Sequence, residues 1–144
     1  MKRPPRVLFV CIGNSCRSQM AEAFARVHGG GVIEPSSAGV YPALTVAPDT
    51  LRAMAEKDID VKSQFPKSIE HMDLSKFDLI VDMSGGLMDP IRKPPVQVWD
   101  VPDPIMLRYK EHCEVRDQIE GLVKDLIRET GRKQKPTRVL GLRL

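Results

Sequence analysis

Apolar residues along this chain fall into short unbroken runs and longer stripes at helical spacing, and the two kinds alternate. Val7-Leu-Phe-Val10 is a continuous run of the length of a buried strand. After Ser18, Gln-Met-Ala-Glu-Ala-Phe-Ala-Arg reads as a helix with Met20, Phe24 and Val27 on one side, closed by His28-Gly-Gly-Gly31. Val32-Ile33 leads into Ser36-Ser-Ala-Gly39, a short second strand. Pro48 to Lys57 predicts a helix with proline in its first turn and Leu51, Met54 and Ala55 inward. Ile69 to Leu74 reads as a short helical turn. Phe77 to Met83 is a strand closed by Ser84-Gly-Gly86, and Val96 to Trp99 is another after Pro94-Pro95. From Lys110 to Thr130, Val115, Ile119, Leu122, Val123, Leu126 and Ile127 recur at helical spacing, with Gly131 as the stop. Strands alternating with helices imply an α/β fold with a parallel sheet covered on both faces. Ligands then bind at the C-terminal ends of the strands.

The first such end carries the chemistry. Cys11-Ile-Gly-Asn-Ser-Cys-Arg17-Ser18 joins the first strand to the first helix. Loop amides that converge on one point, together with a helix N-terminus, make an anion site. A cysteine at the head of such a loop is favoured as thiolate, the nucleophilic form. The planar fork of Arg17 matches two oxygens of a tetrahedral oxyanion. Gly13 and Asn14 stand where tight or positive-φ backbone is useful, and a hydroxyl follows the arginine directly. The plainer reading, a buried structural cysteine beside a capping serine, leaves that context unexplained.

Length, composition and charge narrow the setting. At 144 residues the chain is expected to form a single domain spanning 1–144. No apolar run approaches a membrane span, and the first six residues lack the core of a signal peptide. Three cysteines without framework spacing suit a reducing cytoplasm. The net charge of +3 is uneven: Lys2, Arg3 and Arg6 lie at one end, and Arg132, Lys133, Lys135, Arg138 and Arg143 in the tail 131–144. The body between them is mildly acidic. Basic termini of this kind are ordinarily solvated, so neither a membrane nor a nucleic-acid partner is expected. The tail is left open between extending the last helix, packing through Val139, Leu140 and Leu142, and staying mobile. His28 and His71 read as surface residues and Trp99 as core or pocket edge. His112 with Cys113 matches no zinc template.

The ordered motifs V-L-F-V-C-I-G-N-S-C-R-S from Val7, S-A-G at Ser37 to Gly39, F-D-L-I-V from Phe77 and Asp103-Pro104 resemble the low-molecular-weight protein tyrosine phosphatase superfamily. That superfamily includes thioredoxin-coupled arsenate reductases, and the likeness runs from Val7 to about Ile127. It implies a three-layer sandwich with a four-stranded parallel sheet, order 2-1-3-4, flanked by helices. It implies Cys11 as nucleophile, with Arg17 and the amides from Ile12 through Gly13, Asn14, Ser15 and Cys16 to Ser18 holding the substrate oxygens. Ser18 would donate to the Cys11 sulfur, and Asn14 and Ser37 would brace the loop. Asp103 would be the general acid, preferred over Asp100 because Pro104 follows it. Cys16 would be able to form a protective disulfide with Cys11, or else be a small residue under the loop.

The same resemblance marks departures. Ile105-Met106 follow the Asp-Pro where phosphatases carry aromatics, which leaves Tyr41 and Tyr109 as compensating rings. Ser84 stands at the first relay-cysteine position of the reductases, and no cysteine lies between Ser84 and Pro95. Asn14, Glu22 and Ser37 match a potassium site whose acid is replaced by Lys67, with its ammonium in the cation's place. The reading is a cysteine-dependent phosphatase acting on a phosphorylated protein or small phosphomonoester through a cysteinyl-phosphate, binding phosphate or another oxyanion, with no metal or organic cofactor. The alternatives are an arsenate reductase served by an external thiol and a non-catalytic phosphate-binding module.

Overall fold

In a computed structural model, the chain is described from residue 3 to residue 134. Lys2 and the tail residues Lys135, Arg138, Val139, Leu140, Leu142 and Arg143 lie outside the described residues.

Strands β1 (Arg6–Cys11), β2 (Glu34–Gly39), β3 (Leu79–Asp82) and β4 (Val96–Val98) form one parallel sheet in the order β2-β1-β3-β4. This is the expected α/β architecture. Side chains on a strand alternate between faces, and β1 shows both. Val7, Phe9 and Cys11 face a core shared with α1 (Arg17–His28), α2 (Pro48–Ala55) and α3 (Tyr109–Gln134). Leu8 and Val10 face a smaller cluster with Ala38, Ile80, Ile69, Met72, Leu74 and Met88. Two single 3₁₀ turns, Ile69–His71 and Leu74–Lys76, help cover that second face in place of the one turn expected there. Ser68 and Asp73 each cap a turn, and so divide the segment.

Three helical expectations fail for identifiable reasons. Val27 is 56% exposed, because the buried stripe of α1 runs through Met20 and Phe24, and it is the exposed His28 ring, stacked on Phe24 at 5.9 Å, that continues that side. Ala55 is exposed because α2 buries Thr50, Ala53 and Met54, a phase hidden by the polarity of threonine. Gly131 does not stop α3. The last turn packs on Val32, whose carbonyl accepts from Gln134 Nε2 at 2.9 Å, and this tertiary contact outweighs the cost of a helical glycine. The other surface and core assignments hold: His28 and His71 are exposed, and Trp99 is 8% exposed with its ring tilted against Phe9.

Candidate active site

The loop from Ile12 to Cys16 is shaped by what its carbonyls do. The carbonyls of Cys11, Ile12, Gly13 and Ser15 accept from Val40, Tyr41, Ala43 and Ala47 at 2.8–3.1 Å, all on the segment after β2. With the oxygens turned outward, the N–H groups of residues 13 to 16 make no hydrogen bond among the described residues. Asn14 closes the turn at φ 51, in the left-handed region that asparagine tolerates. Gly39 lets β2 lie against this turn: a Cβ there would meet Ile12 O at 2.8 Å and Asn14 N at 2.9 Å.

Side chains beneath the loop fix the hydroxyl beside Cys11. Asn14 Nδ2 donates to Ser18 Oγ at 2.6 Å, which leaves the Ser18 proton to point at Cys11 Sγ, 2.9 Å away. Asn14 Oδ1 accepts from Gln19 Nε2 at 3.1 Å and from the Lys67 backbone at 2.9 Å. Ser37 donates to Glu22 Oε1 at 2.6 Å, and Lys67 Nζ lies 3.9 Å from the same oxygen. Burial pushes the Lys67 ammonium below the usual lysine range, and Glu22 draws it partly back. A tethered cation therefore sits beside Glu22, where the resemblance suggested one. Gln19 and Gly39 have structural parts here that sequence reading did not assign. Gln19 stood on a helix face with no pattern to distinguish it, and its signal was only its place one residue after the hydroxyl.

Arg17 is 4% exposed. Its Nη1 donates to Met83 O at 2.6 Å and to Val101 O at 3.0 Å, so the ends of β3 and of the segment after β4 hold one arm of the fork. Nη2 faces Asp103 Oδ2 at 3.6 Å, and Nε is buried without a partner among the described residues. Cys11, Ile12, Gly13, Ser15, Cys16, Arg17, Ala43, Asp103 and Ile105 line one cavity of about 170 Å³. Asp103 thus lies across from Cys11. Asp100 is exposed and outside the cavity lining, its carbonyl accepting from Gln118.

Cys16 is buried and its thiol is pushed up, chiefly by burial, while the Thr50 and Ser15 hydroxyls pull it partly back. Neither expected tyrosine reaches the cavity. Tyr109 bonds Glu56 under the guanidinium of Arg52, and Tyr41 stands 68% exposed at the edge of a different groove. Ser84 Oγ accepts from Leu87 N and Met88 N at 3.1 Å each, and so serves the turn after β3. His112 and Cys113 point apart, the imidazole to Thr50 and the thiol towards Tyr109. Among the described residues no helix is long and apolar enough to cross a membrane.

Comparison with known proteins agrees with this geometry. An arsenate reductase from Bacillus cereus is 36% identical over 135 residues, covering 91% of this chain and 99% of that protein. A glutaredoxin arsenate reductase from Synechocystis is 33% identical, covering 85% of this chain and 95% of its own length. A solved arsenate reductase in the phosphate binding state superposes with a TM-score of 0.77 at 32% identity, over 88% of this chain and 98% of that one. The family model for low molecular weight phosphotyrosine protein phosphatase matches residues 6–136. With the Cys11–Ser18 loop, the parallel sheet and these relatives in agreement, the chain belongs to the low molecular weight phosphotyrosine protein phosphatase family.

Proposed function

We propose that the chain reduces arsenate at Cys11 and is discharged by a thiol from outside the molecule. The observation that carries this reading is the cavity itself. It brings a cysteine, an arginine fork and inward amides around a space with aliphatic walls, sized for a small oxyanion and without a ring to stack on an aryl ester. Sequence reasoning ranked a phosphomonoesterase first and an externally served reductase second. The arsenate reductases among its relatives weigh toward the reverse order.

The chemistry follows from the residues. The Cys11 thiolate attacks arsenic, held by the amides and by Arg17 Nε and Nη2. The displaced oxygen leaves as water after Asp103 has given it a proton. A second thiolate must then attack the Cys11 sulfur, and the S–As electron pair stays on arsenic, which departs as arsenite. Ser84 offers no sulfur, Cys113 lies on α3 beside Tyr109, and burial holds Cys16 towards the thiol. The attacking thiol is therefore external. A further external thiol reduces the mixed disulfide at Cys11, so two thiols become one disulfide per arsenate.

A second reading, hydrolysis of phosphomonoesters through a cysteinyl-phosphate, is favoured by Asp103 facing Arg17 across the cavity. There it would protonate the leaving oxygen and then activate water. Parallel assays separate the readings. Arsenate-driven NADPH oxidation is expected with glutathione, glutathione reductase and a glutaredoxin, and not with thioredoxin and thioredoxin reductase alone. Hydrolysis of p-nitrophenyl phosphate without arsenate turnover on any thiol, mycothiol included, would reverse the order again. Phosphate binding with neither activity would leave only a binding module.

A further inference from the structure

Behind the cavity, α2 and the first turns of α3 meet through one buried hydrogen bond. Thr50 is 0% exposed and His112 1%, and Thr50 Oγ1 lies 3.0 Å from His112 Nε2. Burial pushes the imidazole below the usual histidine range. Asp49 on α2 and Asp103 and Pro104 on the loop before α3 oppose that shift, and Arg116 on α3 adds to it. The ring's other nitrogen faces the Pro104 backbone carbonyl and carries the proton there, so Nε2 of the neutral ring accepts and the threonine hydroxyl is the donor.

Each end of this bond leads to a different wall of the cavity. On one side Thr50 N donates to Ala47 O at 2.9 Å, and Ala47 N to Ser15 O at 3.1 Å, which is the anion loop. The Thr50 hydroxyl also faces Cys16 of that loop. On the other side His112 N donates to Arg108 O at 3.0 Å and Leu107 N to Pro104 O at 3.0 Å. Ile105 N then donates to Asp103 Oδ1 at 3.1 Å. The segment carrying Asp103 is thus held at two places. Arg17 grips Val101 O before it, and His112 ties its far end to α2. Between these anchors Pro102, Asp103, Ile105 and Met106 are exposed and only Pro104 is buried. Filling this space needs no nitrogen: a phenyl ring has nearly the same shape and escapes the cost of burying a polar ring.

We propose that His112 is a positioning residue which, through Thr50, sets the spacing between the anion loop and the carboxyl of Asp103. This rests on the acid role given to Asp103 above. Three variants test it: Thr50→Val removes the hydroxyl at nearly constant volume, Thr50→Ser keeps it, and His112→Phe keeps the ring shape. Amide exchange is one readout, and kcat on aryl phosphates of graded leaving-group strength is the other. Thr50→Val and His112→Phe should each speed exchange across 103–108 about tenfold, the worth of one hydrogen bond, with α1 unchanged. They should lower kcat for phenyl phosphate about tenfold and for p-nitrophenyl phosphate by less than about threefold, because a stable leaving anion needs little proton donation. KM should stay within about twofold, and Thr50→Ser should recover most of the rate. Unchanged exchange at 103–108 overturns the proposal. So does a rise shared equally by α1 with kcat falling alike on every substrate, which is general loosening. If the wild type hydrolyses no aryl phosphate, the second functional reading fails, and exchange alone decides whether the tie exists.

Discussion

Cys11 and Ser18 stand seven positions apart in the chain and 2.9 Å apart in space, brought together by the loop between them. Two consequences belong to single side chains. Cys11→Ser should lower turnover, of arsenate or of an aryl phosphate, on the order of a thousandfold or more, because under either proposed reading the sulfur carries the covalent step. Phosphate binding, read by calorimetry, should stay within about threefold, since the cradle is backbone and Arg17. A variant that kept a tenth of the rate would remove Cys11 from the mechanism. Asp103→Asn should cost about 10² to 10⁴-fold on substrates with poor leaving groups and flatten the basic limb of the pH–rate profile. Asp100→Asn should do neither, as Asp100 lies outside the cavity; the opposite pattern would exchange their roles. At this scale the sequence was legible where a motif named an atom's task. Cys11, Arg17, Ser18, Asn14 and Asp103 fall together in space as the family resemblance implied. Tyr109 was misread because its alternative partners, Glu56 and Arg52, come from a helix fifty residues away.

Among the elements, β2 packs closely on the loop from Ile12 to Cys16. Gly39 pairs with Cys11 at the end of the β1–β2 ladder, and the loop backbone passes within reach of its α-carbon. The atoms a methyl group would strike are backbone, not the free end of a side chain, so the loop itself must shift. Gly39→Ala should destabilise by about 1–3 kcal/mol in urea unfolding, and weaken phosphate binding along with turnover. Full stability with lost binding would mean that the loop yields freely; normal values of both would show that the contact is slack. β1 and β3 were readable from their apolar runs, β2 and β4 only as short segments beside turn residues, and the helices from their stripes. What escaped were phases and ends. Thr50 hides the inward face of α2 because its hydroxyl finds a buried partner sixty-two residues later, and Gly131 stays helical because Val32 waits beside it. Both depend on contacts far apart in the chain, which local periodicity does not carry.

Over the whole molecule, the buried polar groups near the site form a connected set with few charges to spare, and this ties stability to pH in a definite direction. His112 is enclosed by α2, α3 and the Asp103 loop, and burial keeps its affinity for a proton below the ordinary value of 6.5. The unfolded chain binds that proton more readily than the folded one. As pH falls below about 6.5, unfolding therefore takes up a proton and the fold loses stability, until the folded-state pKa is passed. Above that window the group contributes no pH dependence. Depressed carboxylates such as Asp78 and Glu120 add a loss of the same sign, but at lower pH, where acids titrate. The two are separated by comparing urea midpoints of the wild type and His112→Phe at steps from pH 7.5 to 4.5, about the range in which histidine titrates before the acids. The wild type should weaken between about 6.5 and 5 while the variant stays level there, and the curves should run parallel once the acids take over. A variant that weakens as steeply as the wild type across that first window would mean that His112 titrates as an exposed ring does, and that the seam between α2 and α3 admits water.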